Sequence, residues 1–263
     1  MGKVETIPDI RKLVHPYFHA WVDGKRKKTR GFHLWEGTMR QMVHWFSTLL
    51  LLPAIFVSVQ AEELPLTFHP DTQGWDSLFR SDLSNAILEP GGWIIEDGVL
   101  RALDHGTIWT KESYGDFILD LEFKVGKDAN SGVFLRTGDI HDVLTAIEVQ
   151  IHETNDGSPR GMVGAIYDVL APSQDVSRPA GEWNRYTITC KGSLINVVFN
   201  GTQVINMDLN DWTEPHKNPD GSRNKFSKAL KDYARSGPIG FQGIHGRAGQ
   251  PVYFRNIKIK SLK

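Results

Sequence analysis

The sequence predicts an all-β sandwich, and three observations support this fold class. Apolar and polar residues alternate at period two in many short segments, as they do in half-buried strands. The pairs Asp97-Gly98 and Asn200-Gly201 separate such segments and are typical of two-residue hairpin turns. The 25 glycines and 13 prolines fit short strands joined by tight turns. Strands spaced this regularly favour a sandwich over an α/β fold.

Length and charge limit the classes of function. A chain of 263 residues with 40% hydrophobic residues can form one large core. The formal net charge of −1 predicts no nucleic-acid partner and no general attraction to an anionic membrane. The single cysteine, Cys190, cannot form an internal disulfide and is expected to be a small buried hydrophobe.

Residues 39–61 are predicted to be a signal peptide. An apolar stretch follows Arg40 and ends in Val59-Gln60-Ala61, with small residues where a signal peptidase needs them. A membrane anchor is the alternative, but Pro53 weakens it. A buried core helix is the third interpretation, disfavoured by an unbroken run of four leucines.

This prediction divides the chain into three parts. Residues 1–38 are expected to be a mis-called or unstructured extension, because Met39 is a natural start for the signal peptide. Cleavage after Ala61 would leave residues 62–263 as a single β domain. We therefore expect an exported protein, periplasmic or extracellular, with no stable membrane insertion after cleavage.

The first strong strand signals lie between residues 93 and 125. Between Trp93 and Arg101, the pair Asp97-Gly98 separates two apolar segments, which predicts a hairpin. In the next segment four apolar residues alternate onto one face: Phe117, Leu119, Leu121 and Phe123. Residues 183–207 repeat this meander around Asn200-Gly201, and the last strands are predicted at 237–242 and 252–259.

The stretch from residue 130 to 153 combines two predicted strands with chemistry-bearing side chains. Alternation puts Glu148, Gln150 and His152 on one face of the second strand. If the strands are neighbours, Arg136 shares that surface. Any half-exposed sheet shows such alternation, so an ordinary solvated face stays open as the alternative.

Residues 211–236 break the strand pattern. A loop rich in proline, asparagine and glycine precedes five residues at helical spacing: Phe226, Ala229, Leu230, Tyr233 and Ala234. The pattern predicts a short surface helix packed over a sheet edge, with a lid over a site as the alternative.

Seven short motifs occur in order along the chain: Asn130-Ser-Gly-Val-Phe-Leu-Arg, Glu148-Val-Gln-Ile, Gly164-Ala-Ile-Tyr, Glu182-Trp-Asn, Trp212-Thr-Glu-Pro, Gly237-Pro-Ile-Gly-Phe-Gln and Phe254-Arg-Asn-Ile. Together they resemble the 3-keto-disaccharide hydrolase domain family, which includes 3-keto-glucoside lyases and hydratases. The resemblance spans Leu66 to Leu262 and implies a concanavalin A-like jelly roll of two antiparallel sheets, a fold that commonly binds carbohydrate on its concave face.

The resemblance implies cleavage of 3-keto glycosides by elimination and hydration. A ketone at C3 acidifies the C2 proton, a base removes it, and the glycosidic oxygen leaves from C1; water then adds back, giving net hydrolysis. Such a site needs a base, an acid and an electropositive group at the carbonyl. The partners implied are a sugar or glycoside substrate and, upstream, a sugar 3-oxidoreductase.

The resemblance also assigns residues. Glu148 and Gln150 match a Glu-x-Gln motif, so Glu148 is expected to be the base or a metal ligand and Gln150 to bind sugar hydroxyls. Arg136 is the candidate for carbonyl polarisation, with a salt bridge to Glu148 as the alternative. Gln242 and His245 resemble the family's glutamine and histidine, one residue further apart. His245 is the acid–base candidate, since histidine titrates at about 6.5, and its replacement by alanine is expected to abolish turnover.

Three further residues are candidates for substrate contact. His152 shares the face of Glu148, although a surface histidine at a strand end is the alternative. Glu153 stands where the family often has an aspartate, and Tyr167 is an aromatic that either stacks on a sugar or belongs to the core. The cofactor is unknown, and a divalent metal bound by Glu148 with a histidine stays open.

Two other function classes compete with this prediction. A non-catalytic, lectin-like carbohydrate-binding module on the same fold is the main alternative, because the fold alone does not decide function. A conventional glycosidase needs two carboxylates about 5–10 Å apart, whereas Glu148 and Glu153 point to opposite faces of a strand. No phosphate-binding glycine loop and no zinc-type Cys/His spacing is present in the sequence.

Overall fold

The computed structural model describes residues 65–153, 157–245 and 250–262. These residues belong to one compact unit, residues 60–263. The predicted extension, 1–38, and the predicted signal peptide, 39–61, lie outside the described residues. Within the described part of the chain, no helix has the length and hydropathy that a membrane crossing requires.

Two antiparallel sheets form the domain. The large sheet has eight strands in the order β11-β10-β9-β6-β13-β4-β3, with β1 paired to β13, and the small sheet has five in the order β2-β5-β12-β7-β8. The predicted all-β jelly-roll sandwich is confirmed. The strands are β1 Asp76–Ser77, β2 Ala86–Ile87, β3 Trp93–Glu96, β4 Val99–Ala102, β5 Ile108–Thr110, β6 Phe117–Val125, β7 Asn130–Leu135, β8 Ile147–His152, β9 Asn184–Lys191, β10 Leu194–Phe199, β11 Thr202–Asp208, β12 Gly240–Phe241 and β13 Val252–Ser261.

The core lies between the inner faces of the two sheets. The apolar face predicted for β6 is fully buried, from Phe117 to Phe123. It packs in one cluster with Val133 of β7 and Ile151 of β8. Each buried apolar side chain of this size contributes about 1.5–3 kcal/mol, so the inner face of the small sheet is firmly fixed.

One core side chain ties the two sheets together at β8. Tyr186 of β9 is fully buried, and its phenol donates a 2.7 Å hydrogen bond to the carbonyl oxygen of Gln150. Because a buried phenol needs a partner, this bond fixes the height of β8 over the core. The outward side chains of β8 are therefore held by a rigid strand.

The predicted hairpin turns are confirmed by their backbone angles. Asp97 and Gly98, between β3 and β4, have φ of 51° and 76°. Asn200 and Gly201, between β10 and β11, have φ of 45° and 87°. Positive φ at both central positions is the requirement of the two-residue turn that asparagine or aspartate followed by glycine adopts most readily.

The segment 211–236 differs from the prediction. Within it only Leu230–Asp232 forms a 3₁₀ turn, and a second 3₁₀ turn, Leu209–Asp211, ends where the segment begins; no α-helix forms. Phe226 and Leu230 are buried, so the apolar spacing reflects packing of an irregular loop. The backbone at Ala229 is extended, with φ of −61° and ψ of 135°, so the chain is not helical in the middle of the predicted stretch.

Candidate active site

The outward face of the small sheet carries a row of polar side chains from β8. Glu148, Gln150 and His152 lie on this face, because the intervening residues Val149 and Ile151 are in the core. Across the ladder to β7, Phe134 is opposite Glu148, Gly132 is opposite Gln150 and Asn130 is opposite His152. We call this surface the polar face of the small sheet.

The polar face continues across β7 to the segment of β12. Gly240 pairs with Phe134, Gln242 donates its main-chain N–H to the carbonyl of Gly132, and His245 pairs with Asn130. These pairings define three rows across the polar face. The first row contains Glu148, Phe134 and Gly240, the middle row contains Gln150, Gly132 and Gln242, and the far row contains His152, Asn130 and His245. At the edge of the first row, the ring of Trp109 stacks on Phe134 at 5.5 Å between centroids.

Two glycines leave room on this face. A Cβ at Gly132 would lie 2.4 Å from Oε1 of Glu148, and a Cβ at Gly240 would lie 2.3 Å from the ring of Trp109. Neither position accepts a side chain without displacing its neighbour. The glycine at 132 therefore lets the carboxylate of Glu148 lie over β7.

Glu148 is a buried carboxylate. The residue is 8% exposed, and it forms an ion pair with Lys225, whose Nζ is 3.8 Å from Oε2. Burial raises the pKa of Glu148 to about 7, although the charge of Lys225 acts in the opposite direction. A carboxyl group with this pKa exchanges protons readily at neutral pH, as a general base must.

Lys225 was not identified from the sequence, and it comes from the segment between β11 and β12. Its ammonium lies 4.2 Å from the centroid of the Tyr167 ring. Burial lowers its pKa, while the nearby carboxylates Glu148 and Asp168 raise it. The sequence predicts a short surface helix for this segment, and only the alternative of a lid over a site connects it with the polar face.

A hydrogen-bond network fixes the backbone around Lys225. Its main-chain N–H donates to Oδ2 of Asp168 at 2.6 Å. Asn218 and Asn224 are buried and bonded to each other at 3.0 Å, and Trp212 donates to Asn218 at 2.9 Å. Asn218 also donates to the carbonyl of Asp168 at 3.3 Å. The loop is thereby joined to the turn that contains Tyr167.

The backbone of Tyr167 is hydrogen-bonded to the backbone of Glu148. Its N–H donates a 3.0 Å bond to the carbonyl of Glu148. The chain next to Tyr167 forms two isolated β-bridges, Val149 to Ile166 and Ile166 to Leu170. Tyr167 is half-buried, and its ring lies next to Lys225. The candidate for sugar stacking is thus a neighbour of the carboxylate.

The two glutamines border the middle row. Gln150 is 2% exposed, and its Oε1 accepts a 3.0 Å bond from the N–H of Ile151. For Gln242, the buried Oε1 has no hydrogen-bond partner among the described residues. A buried carbonyl oxygen without a donor costs about 1–3 kcal/mol, so a donor from water or from a ligand hydroxyl would be favourable there.

The two histidines lie in the far row. His152 of β8 and His245 flank Asn130 on its two sides. His245 is exposed and precedes residues 246–249, which lie outside the described part of the chain. Four residues separate His152 from Glu148 along β8, roughly 13 Å at the rise of a strand. The structure therefore does not bring His245 into contact with Glu148.

Two other candidates lie off the polar face. The carboxylate of Glu153 accepts a 2.8 Å bond from the N–H of Asp128, so it stabilises the turn before β7. Arg136 follows the end of β7, has φ of 49° and is 2% exposed. The left-handed conformation breaks the alternation on which the prediction for Arg136 depended.

The guanidinium of Arg136 is fully engaged away from Glu148. Its nitrogens donate to the carbonyls of Gly115 and Gly192 at 2.8 and 2.6 Å and to Asp116 at 2.9 Å. The expected shared surface of Arg136 and Glu148, and the alternative salt bridge between them, are both wrong. The electropositive group for a substrate carbonyl has to come from elsewhere.

The described residues contain no cluster of side chains suited to binding a metal ion. No group of three or more histidine, cysteine, aspartate or glutamate side chains lies close enough to hold an ion among them. Glu148 in particular is next to a lysine, which competes with a cation for the carboxylate. We therefore assign no step to a metal.

The protein is a jelly-roll sandwich whose small sheet presents a buried carboxylate and amide side chains, with a lysine from the loop between β11 and β12 beside the carboxylate. Such amide and charged groups are the ones that bind and convert hydroxyl-rich ligands. The chain belongs to the family of 3-keto-alpha-glucoside-1,2-lyase-like domains, whose model matches residues 70–260. The resemblance noted in the sequence is thereby confirmed.

Three relatives illustrate the similarity. A 3-keto-disaccharide hydrolase of Bacteroides thetaiotaomicron is 27% identical over 207 residues, covering 66% of this chain and 71% of the relative. A proposed glycosyl hydrolase of Parabacteroides distasonis has a crystal structure at 41% identity and a TM-score of 0.68, covering 72% of this chain and 99% of that one. Another from the same organism has 27% identity and a TM-score of 0.51, covering 74% and 86%.

Proposed function

We propose that the protein is an exported carbohydrate-active enzyme that cleaves 3-keto glycosides by C2 proton abstraction, β-elimination and hydration. The family membership and the relative that is a 3-keto-disaccharide hydrolase support the substrate class. The export to periplasm or medium rests on the predicted signal peptide, residues 39–61. The net reaction is hydrolysis of the glycosidic bond.

The carbonyl at C3 determines which bond breaks first. Removal of the C2 proton leaves an electron pair that delocalises onto the C3 oxygen as an enolate. When the carbonyl re-forms, a double bond forms between C1 and C2, and the C1–O bond breaks with its electron pair. The leaving oxygen takes up one proton. No positive charge has to develop at C1, so a pair of carboxylates is unnecessary.

The observation that carries this proposal is the environment of Glu148. A carboxylate with a pKa of about 7 is a stronger base than an exposed one and is still largely ionised at slightly alkaline pH. Gly132 keeps the space over the neighbouring strand open for it. The position of Glu148 on a strand anchored by Tyr186 supports precise alignment with a substrate carbon.

Glu148 alone can complete the proton transfers. The proton taken from C2 is available to the leaving oxygen, which returns Glu148 to the carboxylate. In the hydration step Glu148 accepts a proton from water as the hydroxyl adds to C1, and it then returns that proton to C2. Each step conserves protons and electron pairs. The pathway requires no second acid within contact of Glu148.

The other rows of the polar face are suited to hydroxyl groups. Gln150 and Gln242 lie on either side of Gly132, between the rows of Glu148 and of the histidines, and the buried Oε1 of Gln242 favours a donor. We assign His152 and His245 to the leaving group, because they lie roughly 13 Å further along the strands. A disaccharide extended along β8 would contact both ends of the face.

The substrate implies a preceding oxidation. A keto group at C3 of a glycoside arises from the secondary alcohol by removal of two electrons and two protons. A sugar 3-oxidoreductase is therefore the expected upstream partner.

The test is aglycone release by the purified full-length chain from a 3-keto-glucoside with a chromogenic aglycone, in both anomers. We expect release, and in D₂O we expect deuterium at C2 of the sugar product, because hydration returns a solvent proton to that carbon. The same glucoside without the keto group is the control substrate and should not be cleaved.

The outcomes separate the function classes. Release without C2 deuterium would replace the elimination pathway by conventional glycoside hydrolysis. Saturable binding of the 3-keto-glucoside without release would favour a lectin-like module. Cleavage of the unoxidised glucoside at a similar rate would remove the keto group from the mechanism.

A further inference from the structure

The elimination pathway needs a positive group at the C3 oxygen, and Arg136 does not supply it. An enolate oxygen is stabilised when a fixed donor or cation is aimed at it in a site of low polarity. We propose that Lys225 is a catalytic residue whose ammonium group stabilises the enolate oxygen of the 3-keto sugar while Glu148 accepts the C2 proton. This inference rests on the proposed function.

The spacing of the two charged groups fits this arrangement. The distance of 3.8 Å from Nζ to Oε2 exceeds a charge-assisted hydrogen bond, which is about 2.7–2.9 Å. In a ketone, two bonds of about 1.5 and 1.2 Å separate the α-carbon from the carbonyl oxygen, so these atoms lie less than about 3 Å apart. A C2 hydrogen facing Glu148 and a C3 oxygen facing Lys225 therefore match the pair.

Lys225 is held in place by its neighbours. Its ammonium lies over the ring of Tyr167 at 4.2 Å, a favourable cation–π contact. Its backbone N–H is bonded to Asp168, and the next residue, Phe226, is buried. A charge that is fixed before the reaction stabilises the transition state without a cost of reorganisation.

Three titratable side chains face or adjoin the ammonium: Glu148 from β8, and Tyr167 and Asp168 from the turn after residue 164. The two carboxylates favour its charged form, whereas burial disfavours it. Partial removal from water also strengthens the attraction of Lys225 to a new negative charge on the substrate. The lysine stays protonated throughout, so the proton balance of the pathway is unchanged.

The experiment compares two substitutions in the full-length chain. Lys225→Met removes the charge and keeps the length of the side chain, and Lys225→Arg keeps the charge. For the 3-keto-glucoside we expect Lys225→Met to lower kcat by about 10²–10³-fold, the usual effect of losing one oxyanion donor, with KM within about 3-fold. Lys225→Arg should retain at least about tenfold more activity than Lys225→Met. Lys228→Met, an exposed lysine of the same segment, is the matched control.

The pH profile provides a readout that a purely structural lysine would not change. Wild-type kcat/KM should fall as the pH drops through about 7, where Glu148 becomes protonated. Because the charge of Lys225 lowers the pKa of Glu148, this midpoint should move to higher pH in Lys225→Met. Lys225→Gln, compared by circular dichroism and thermal unfolding, provides a second neutral variant if the methionine variant folds poorly.

The results distinguish this inference from the proposed function. If the wild-type chain releases no aglycone, the proposed function fails and the role of Lys225 fails with it. If the wild type is active and folded Lys225→Met or Lys225→Gln keeps its kcat, only the role of Lys225 is overturned. Equal loss in the methionine and arginine variants, with an unmoved pH midpoint, would also overturn it, because it would indicate a structural role.

Discussion

Two buried carboxylates, one on each sheet, differ in how completely they are satisfied. Asp120 of β6 is 2% exposed, and Glu148 of β8 is 8% exposed. Asp120 accepts bonds from Nε of Arg185 at 3.0 and 3.2 Å and another from Thr187. Glu148 has the ammonium of Lys225 at 3.8 Å. Both lie on outward faces, and burial raises the pKa of both.

The difference indicates which carboxylate is structural. A buried charge surrounded by donors has no capacity for a further ligand and mainly stabilises the fold. A buried charge whose one cation lies beyond hydrogen-bond distance, at 3.8 Å, retains lone pairs that can act on a substrate. The same alternating pattern in the sequence thus produces a structural ion pair on the large sheet and a candidate base on the small one.

The largest expected effect is on turnover when the base is removed. Glu148→Gln keeps the shape of the side chain but cannot accept a proton, so kcat for the 3-keto-glucoside should fall by about 10²–10⁴-fold. Glu122→Gln, the same change on the outward face of the large sheet, should leave kcat within about 2-fold. Steady-state kinetics measures both. Equal activity of the two variants would contradict the role of Glu148.

Stability should respond in opposite directions at the two carboxylates. Asp120→Ala leaves Arg185 without its partner and should lower the free energy of unfolding by about 2–4 kcal/mol. Glu148→Gln should raise it by about 1–3 kcal/mol at pH 8, since one pKa unit corresponds to about 1.4 kcal/mol and burial opposes ionisation of the native carboxylate.

The stabilisation by Glu148→Gln should depend on pH with a definite sign. The pKa of Glu148 is raised from 4.5 to about 7, so between these values the folded wild type binds more protons than the unfolded chain, and its stability falls as the pH rises. Glu148→Gln has no ionisable group at this position, so its stability does not fall with pH for this reason. Denaturant unfolding at pH 4.5 and pH 8 should show a difference between variant and wild type only at the higher pH.

A smaller effect is expected when the space over β7 is filled. In Gly132→Ala the new Cβ would lie 2.4 Å from Oε1 of Glu148 and displace the carboxylate. We expect kcat to fall by about 10–100-fold, because a shift of about 1 Å in a reacting group has this cost. Gly115→Ala, whose Cβ would lie 3.7 Å from its nearest atom, is the control and should retain activity.

The smallest effect is expected at His245. If it contacts the leaving group, His245→Ala loses about one hydrogen bond, and KM for a 3-keto disaccharide should rise by about 3–10-fold with kcat nearly unchanged. His141→Ala, at an exposed loop position, is the control. A loss of kcat greater than about 100-fold would instead support the sequence prediction that His245 is the essential acid.

Much of the fold followed from local rules in the sequence. Period-two alternation correctly put Glu148, Gln150 and His152 on one face, because strand geometry depends only on neighbouring residues. The turn at Asp97-Gly98 was predictable for the same reason. The alternation failed at Arg136, where the chain leaves the strand in a left-handed conformation that no residue type nearby demanded.

Lys225 could not be found by such rules. Three strands of the large sheet, β9, β10 and β11, separate it from Glu148 in the sequence, and its position depends on hydrogen bonds among Asn218, Asn224 and Asp168. The apolar residues between 226 and 234 have helical spacing, so the sequence predicts a helix where the structure has an irregular loop. The useful signal was its richness in asparagine and proline, which favours side-chain-capped loops over helices.

The carboxylate is on a core strand, and the lysine is on a loop, so the two are subject to different evolutionary constraints. Strand β8 is fixed by the packing of both sheets, whereas surface loops accept substitutions and changes of length. A descendant that lost Lys225 would keep the sandwich, Glu148 and the glutamines. With the role we propose for Lys225, a change confined to the loop between β11 and β12 would remove cleavage and leave the surface that holds the sugar in place.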